Sequence, residues 1–223
     1  MKKEIVKTRD GSDTLFVPEF DESYHSSHGA IQESLHVFIR SGLKFKTELN
    51  EINVLEVGFG TGLNALLSFI DSEETNRKIK YTTLEAYPLK WDLLSKLNHN
   101  DLIFNGKYYD KYKKMHNYDW ESFYELSPFF TIKKQNVKVQ DVLFDNEFDV
   151  IYFDAFAPRV QPELWTKKIF NSMYKGLKPG GILVTYCAKG SVKRALKYVG
   201  FELQSIPGPP GKREMSRAIK SSS

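Results

Sequence analysis

A glycine-rich turn after a run of apolar residues is the first feature of this sequence that could do chemistry. Residues 56–64 read EVGFGTGLN and join a predicted strand to an apolar helical stretch. Glycines at such a junction let the backbone pass close to a ligand and direct free N–H groups towards it. The turn therefore predicts a nucleotide-type cofactor site that includes Gly58, Gly60 and Gly62.

Three acidic residues are predicted at the ends of the strands that follow this turn. Glu85 ends the second strand, where a carboxylate can accept hydrogen bonds from both ribose hydroxyls of a nucleoside. Asp141 follows the third strand, where it could accept from an adenine amino group, and Asp154 follows the fourth. Because open α/β sheets bind ligands at the carboxyl ends of their strands, one shared site is expected. Helix capping is the alternative for Asp141, and a solvated loop position is the alternative for Glu85.

The spacing of the three glycines differs from that of a dinucleotide site. A dinucleotide turn reads G-x-G-x-x-G, whereas this turn reads G-x-G-x-G and resembles motif I of class I methyltransferases. Those enzymes hold S-adenosylmethionine, which has an amino acid, a sulfonium, a ribose and an adenine but no pyrophosphate. The resemblance implies that Glu56 reaches the amino-acid end of the cofactor, directly or through water, and that Asn64 belongs to the same site.

Four separated motifs resemble the MnmC-like methyltransferase family. They read GFGTGLN at 58–64, DAFAP at 154–158, PELW at 162–165 and KREM at 212–215. The resemblance extends from Tyr24 to about Met215 and implies methyl transfer from S-adenosylmethionine to the aminomethyl group of the wobble 2-thiouridine in tRNA. Bifunctional members carry a flavin-dependent oxidase domain after the methyltransferase part, so a standalone methyltransferase is expected here. The sequence YHSS at 24–27 replaces a more usual Tyr-Phe-Ser, and no role is assigned to His25 or Glu33.

The expected chemistry assigns roles around the fourth strand. Methyl transfer from a sulfonium is an in-line displacement, so the acceptor must present a lone pair and be held in position. A primary alkylamine is largely protonated at neutral pH, and Asp154 is the candidate to orient it and, secondarily, to accept its proton. The loop at Pro158 is expected to wall the acceptor pocket, with Phe156 or Trp165 packing on a base extruded from the tRNA anticodon loop.

Basic residues are concentrated in the last third of the chain. The net charge is +4, yet residues 159–223 hold 13 Lys and Arg against three Glu, a net of +10, which leaves −6 for residues 1–158. Such an asymmetry is expected of a protein that meets a polyanion with one face, although solvated helix sides are the alternative. The residues expected to contact tRNA phosphates are Arg159, Lys189, Lys193, Arg194, Lys212 and Arg213.

Short apolar runs that alternate with helical stretches must position these residues. Strands are predicted at 52–57, 79–84, 137–139, 149–153 and 182–186, and helices at 62–71, 88–98, 162–177 and 190–199. This alternation predicts an α/β protein with a Rossmann-like class I methyltransferase fold, in which a mainly parallel sheet carries helices on both faces. Residues 201–206 and 214–220 are predicted to form an antiparallel pair at the C-terminal edge.

The same patterns divide the chain into segments. Residues 1–50 predict an N-terminal addition, with a hairpin around Asp10-Gly11 followed by a helix. Residues 51–220 are expected to form the methyltransferase domain, which an aromatic and mostly helical insertion interrupts at about 100–135. Residues 221–223 are all Ser and are expected to be a disordered tail.

Composition argues against several other classes. The charged N-terminal residues leave no apolar core for a secretory signal, and no window approaches the ~20 apolar residues of a membrane helix. A cytoplasmic protein without a membrane partner is therefore expected. Cys187 is the single cysteine and cannot form an intramolecular disulfide, and the five His residues have no metal-ligand spacing, so no metal is expected.

Three other functions stay open from the sequence. A class I methyltransferase of a small molecule or a protein would share the cofactor site and leave the basic face incidental. An aminopropyl transferase similar to spermidine synthase would share the fold and the acid after strand four. A non-catalytic RNA-binding module with a vestigial cofactor turn is the third, and the retention of Glu56, Glu85, Asp141 and Asp154 argues against it.

Overall fold

A mixed sheet with helices on both faces forms the centre of the computed structural model, which describes residues 2–222. The strands of the described chain are β1 (Glu4–Lys7), β2 (Asp13–Val17), β3 (Glu22–Ser23), β4 (Glu51–Val57), β5 (Lys78–Leu84), β6 (Phe123–Ser127), β7 (Phe130–Gln135), β8 (Phe148–Phe153), β9 (Leu177–Thr185), β10 (Glu202–Pro207) and β11 (Glu214–Ile219). The α-helices are α1 (Ala30–Ser34), α2 (Leu63–Thr75), α3 (Trp91–Leu94), α4 (His99–Leu102), α5 (Tyr109–Asn117), α6 (Lys167–Gly176) and α7 (Gly190–Tyr198).

Eight strands form the main sheet in the order β10-β11-β9-β8-β4-β5-β7-β6. The neighbours β9, β8, β4, β5 and β7 pair in parallel, and the two edges are closed by antiparallel pairs. Every residue of β8 is buried, as expected for a central strand covered on both faces. The structure confirms the predicted α/β fold with its mainly parallel sheet and antiparallel C-terminal edge.

Alternate residues of the central strands pack on opposite faces of the sheet. Tyr152 of β8 shares one apolar cluster with Phe69 of α2. Phe153, the next residue along β8, shares the other cluster with Phe170 of α6 and Leu196 of α7. The strands thus fix two layers of helices, and their carboxyl ends lie together at one edge of the sheet.

The N-terminal residues form a small antiparallel sheet and then cover the main one. β1 pairs with β2 across the predicted turn at Asp10-Gly11, where Gly11 has φ of +83°. β3 is a third strand that the sequence did not predict. α1 continues into a π-helical turn at Leu35–Arg40, and Phe38 of this turn packs against Tyr152 with the rings tilted by 44° and their centroids 5.1 Å apart.

The third strand of the sheet was predicted at the wrong place. Residues 137–139 form no strand, and Val139–Asp141 is a 3-10 turn. The strand that pairs with β5 is β7, inside the segment predicted to be a mostly helical insertion. β7 alternates buried and half-buried residues, which is the period of a strand, and β6 and β7 form a hairpin. Lys134 occupies one of the buried positions and concealed this alternation in the sequence.

Other element boundaries also differ from the predicted ones. The helix predicted at 88–98 is reduced to the one-turn helix α3, after which Lys96 N and Leu97 N donate to the carbonyls three residues back, as in a turn. Asn98 N donates to Asp13 Oδ2 at 3.0 Å, and Asp13 N donates back to Asn98 Oδ1 at 2.7 Å. β9 begins at Leu177, earlier than the predicted 182. In the segment predicted to be a tail, Ser221 O accepts a bond from Gly180 N at 3.4 Å, and Ser223 lies outside the described residues.

Helices long and apolar enough to cross a membrane do not occur among residues 2–222.

Candidate active site

The glycine turn lies between β4 and α2, as predicted, and its backbone requires glycine. Gly58 has φ of +95°, and a Cβ at this position would lie 2.5 Å from the backbone oxygen of Asp154. Gly62 has φ of +72° at the start of α2. Any larger residue at Gly58 would have to displace the strand end that carries Asp154, because backbone cannot move aside as a flexible side chain does.

Glu85 holds the glycine turn from the neighbouring strand. Its Oε2 accepts a bond from Gly60 N at 2.9 Å, and its Oε1 accepts one from Tyr87 N at 2.8 Å. Both carboxylate oxygens keep a further lone pair, and the half-buried side chain lines the cavity. Glu85 thus lies directly after β5, at the predicted end of the strand, and its contact with ribose hydroxyls stays a prediction.

A cavity of about 840 Å³ opens at the carboxyl ends of the parallel strands. This volume lies within the ~300–1,000 Å³ typical of cofactor and small-ligand sites. The predicted residues that line it are Gly58, Gly60, Asn64, Glu85, Asp154, Phe156 and Lys212. The cavity therefore joins the glycine turn to the acid after the fourth strand in one space.

Asn64 positions the carboxylate of Asp154 on the cavity wall. Its Nδ2 donates to Asp154 Oδ2 at 2.8 Å and to Glu56 Oε1 at 3.1 Å. Burial raises the pKa of Asp154 to about 7, and the charge of Glu33 acts in the same direction, whereas the Asn64 bond and the charge of Lys212 oppose the rise. Asp154 thus changes its protonation state near neutral pH, which suits a group that orients an amine and exchanges a proton with it.

Glu56 lies behind this wall rather than in it. The side chain has no exposed surface and is absent from the cavity lining, which does not fit the predicted contact with the cofactor. Thr83 Oγ1 donates to its Oε2 at 2.7 Å, and burial raises its pKa to about 8. Because Glu56 accepts from Asn64 as well, its structural effect is to fix the amide that holds Asp154.

Asp141 is placed away from the predicted adenine contact. It is exposed and does not line the cavity, and the 3-10 turn that contains it follows β7 by several residues. The prediction depended on a strand ending at residue 139, so the misplaced strand explains the misplaced acid. Val139 and Gln140 of the same turn reach the cavity instead.

Of the two aromatic residues predicted for the acceptor pocket, only Phe156 lines it. Phe156 meets the ring of Tyr24 edge-to-face at 5.0 Å and that of Phe20 at 6.0 Å. Trp165 is buried among Phe153, Phe170 and Tyr186, so it cannot stack on a base. Its indole Nε1 donates to Phe156 O at 2.8 Å and thereby supports the pocket from behind.

The predicted phosphate contacts fall into two groups. Arg159, Lys193 and Lys212 form ion pairs with Glu22, Glu214 and Glu33 respectively. Arg159 also donates to the backbone oxygens of Phe20 and Asp21, so it fastens the N-terminal segment to the loop after β8. Lys189, Arg194 and Arg213 are exposed.

Pro158, which was predicted to wall the acceptor pocket, lies in the loop after β8. It is half-buried and does not line the cavity.

The N-terminal segment supplies site residues to which the sequence assigned no role. His25 lines the cavity, and its two ring nitrogens contact Thr14 Oγ1 at 3.0 Å and Thr61 Oγ1 at 3.3 Å. Burial lowers the pKa of His25 to about 3, so the ring is neutral. It connects the small N-terminal sheet to the glycine turn. The one sequence signal for a role of His25 was its position directly after Tyr24, where a Tyr-Phe-Ser sequence is more usual in the family.

Comparisons with known proteins agree with this geometry. Residues 107–221 match the S-adenosyl-L-methionine-dependent methyltransferase family, and the chain belongs to that family. The crystal structure of MNMC2 from Aquifex aeolicus superposes with a TM-score of 0.76 at 26% identity, over 100% of this chain and 71% of that one. Spermidine synthase from Thermotoga maritima shares the fold, with a TM-score of 0.50 at 16% identity over 100% of this chain and 72% of that one.

Two curated relatives are named tRNA 5-methylaminomethyl-2-thiouridine biosynthesis bifunctional protein MnmC. The protein from Marinomonas sp. is 26% identical over 89% of this chain and 31% of its own length. The one from Cupriavidus metallidurans is 28% identical over 96% of this chain and 33% of its own length. The chain spans about a third of the length of these relatives. The predicted resemblance to MnmC-like methyltransferases and the predicted cofactor, S-adenosylmethionine, are thereby confirmed.

The residues of the cavity fit this cofactor. Gly58 lets the turn approach the strand end that carries Asp154 more closely than any larger residue could, and the carboxylate of Glu85 suits a ribose. Asn64 Oδ1 is buried and has no hydrogen-bond partner among the described residues, so an acceptor is available beside Asp154 for the cofactor's ammonium group. Clusters of three or more His, Cys, Asp or Glu that could hold a metal ion do not occur within residues 2–222.

Proposed function

We propose that this methyltransferase transfers a methyl group to the aminomethyl group of the modified wobble uridine in tRNA, in the cytoplasm. The observation that carries the proposal is the single cavity in which a glycine-turn cofactor site meets the carboxylate of Asp154. An acid on the acceptor side favours a cationic amine over a neutral or anionic acceptor. The names of the relatives indicate a nucleoside that carries such an amine.

The proposed mechanism depends on positioning. When bound, S-adenosylmethionine supplies an electrophilic methyl group on its sulfonium. Asp154, held by Asn64, orients the acceptor nitrogen and takes up its proton, which its pKa of about 7 allows near neutral pH. The rings of Phe156 and Tyr24 exclude water beside it and offer surface for an unstacked base.

The basic C-terminal third supports an RNA substrate in this proposal. Residues 159–223 carry a net charge of +10. Lys189, Arg194 and Arg213 are exposed there and suit phosphate contacts with an anticodon loop. Such contacts add sequence-independent affinity that falls as the salt concentration rises.

The test is transfer of labelled methyl from S-adenosylmethionine to tRNA isolated from cells that lack this gene, followed by nucleoside analysis. Label on an aminomethyl-thiouridine is the expected result. Label on another nucleoside, or none despite tight cofactor binding, would contradict the proposed acceptor and redirect the search to small-molecule or protein amines. Asp154→Asn serves as the negative control, because it keeps an acceptor atom for Asn64 and removes the charge.

A further inference from the structure

The acceptor wall of the cavity already holds an ammonium group, that of Lys212. Lys212 Nζ lies 2.6 Å from Glu33 Oε1 and 3.9 Å from the centroid of the Tyr186 ring. A carboxylate beside an aromatic face is the arrangement by which proteins bind alkylammonium groups. All three residues line the same cavity as Asp154.

The carboxylate and the ring are fixed by bonds of their own. Glu33 is 7% exposed, and its Oε2 accepts a bond from Ser26 N at 2.7 Å. The Tyr186 hydroxyl donates to Ala155 O at 2.8 Å, next to Asp154. Glu33 and Tyr186 therefore keep their positions whichever ammonium lies between them.

Lys212 is the movable member of this group. It lies in the turn between β10 and β11, and its side chain is 33% exposed. A long flexible lysine side chain can withdraw its charge to solvent at little cost, whereas a buried Glu33 left without a cation would be destabilising.

We propose that Glu33 and Tyr186 form the subsite that first takes up the acceptor's ammonium, before its nitrogen passes to Asp154 and loses its proton there, and that Lys212 occupies this subsite until the acceptor enters. The inference rests on the proposed amine acceptor. Exchange of one ammonium for another keeps the Glu33 carboxylate paired at each stage. An acceptor without a positive charge would have to displace Lys212 and leave that carboxylate unpaired, so the exchange selects amines.

The direct test measures binding of n-butylammonium by NMR titration to the wild type, to Lys212→Met and to the Glu33→Gln, Lys212→Met double variant. Lys212→Met removes the competing ammonium, so binding about tenfold tighter than that of the wild type is expected. The double variant should lose this gain. n-Butanol, which has the same chain without the charge, should show no gain in any of the three proteins.

Equal affinity of Lys212→Met and the wild type would overturn the proposal, as would a gain that persists in the double variant or extends to n-butanol. Thermal unfolding verifies that each variant is folded. If Lys212→Met does not fold, Lys212→Gln takes its place with a smaller expected gain, because its neutral amide can still donate to Glu33 but does not pair the charge of that carboxylate.

The result can be separated from that of the tRNA assay, which uses a different ligand. A gain in n-butylammonium affinity without methylation of tRNA supports the subsite and contradicts the nucleoside acceptor. Methylated tRNA without the gain contradicts the subsite alone. In the methylation assay, Glu33→Gln should raise the KM for the acceptor about tenfold and change kcat less, a division that general misfolding would not produce.

Discussion

The two halves of the cavity are built in different ways. The half proposed to bind the cofactor, called the cofactor half, consists of the turn at 58–62 and the end of β5, and its main contact joins residues 25 apart, Gly60 and Glu85. The half proposed to bind the acceptor, called the acceptor half, consists of Glu33, Asp154, Phe156, Tyr186 and Lys212, and its ion pair joins residues 179 apart, Glu33 and Lys212. A local motif specifies the first half, whereas the fold of the whole chain assembles the second.

The charges of the two halves differ as well. Glu85 in the cofactor half accepts its hydrogen bonds from two backbone N–H groups. In the acceptor half, the charge of Glu33 raises the pKa of Asp154, and the charge of Lys212 opposes that rise. Substitutions in the first half should therefore affect cofactor binding, and those in the second should affect the acceptor and its protonation.

The largest effect is expected from Asp154→Asn, at the meeting point of the two halves. The variant keeps an oxygen for Asn64 and loses the charge that orients and deprotonates the amine. We expect kcat to fall by roughly 10²–10⁴-fold, the usual range for a general base, with cofactor affinity nearly unchanged. Steady-state kinetics and cofactor titration measure the two quantities.

The pH profile gives the same prediction a second readout. Wild-type kcat/KM should rise through about pH 7 as Asp154 ionises, and this limb should be absent from Asp154→Asn. Asp141→Asn is the matched control, since it alters an exposed acid outside the cavity. If Asp141→Asn lowered the activity as much as Asp154→Asn does, Asp141 would belong to the site. The division of the cavity into these two halves would then be wrong.

Glu85→Ala should damage the cofactor half alone. It removes the carboxylate that accepts from Gly60 N and Tyr87 N and that lines the cavity, where we propose that it binds the ribose. The loss of charge-assisted bonds should weaken cofactor binding by about 10–100-fold. Calorimetric titration with S-adenosylhomocysteine measures this loss. A higher KM for the acceptor at saturating cofactor would show instead that the two halves are not separable.

The same difference explains how much could be predicted from the sequence. The glycine turn, Glu85 and Asp154 follow apolar strands directly, so local pattern sufficed to place them at one edge of the sheet. The ion pair of Glu33 with Lys212 and the burial of Trp165 depend on which surfaces pack together, and no local pattern carries that information. The prediction of the third strand was wrong for a different reason, because Lys134 interrupts the apolar alternation of β7 at a buried position.

Glu56 should influence stability through its protonation. In the folded protein its pKa is raised to about 8, so the folded state keeps a proton that the unfolded chain releases above its ordinary value of 4.5. The stabilising contribution of this proton to the free energy of unfolding is therefore full at acidic pH and is lost as the pH rises to about 8. In Glu56→Gln, the decrease in the free energy of unfolding between pH 5 and pH 8 should be smaller than in the wild type, by on the order of 2 kcal/mol.

Urea unfolding at the two pH values measures this difference for Glu56→Gln. Asp154 contributes a decrease of the same sign, since its pKa is also raised, so part of the pH dependence should remain in the variant. An unchanged pH dependence in Glu56→Gln would mean that Glu56 is ionised in the folded state, and its place behind Asn64 would then need another explanation.

The smallest effects are expected on the basic surface, where neighbouring residues of α7 offer a matched pair. Arg194 is exposed, whereas Lys193 lies 2.8 Å from Glu214 in an ion pair. Arg194→Gln should weaken tRNA binding severalfold and reduce the salt slope of log K by about 1, as expected for the loss of one phosphate contact. Lys193→Gln should weaken tRNA binding less, because Glu214 already compensates the charge of Lys193.

Glu214→Gln should strengthen tRNA binding, since it frees Lys193 for phosphate. Filter binding at several salt concentrations measures all three variants. Equal losses for Lys193→Gln and Arg194→Gln would show that the ion pair of Lys193 with Glu214 breaks when RNA binds. Both basic residues of α7 would then belong to the surface that binds the acceptor.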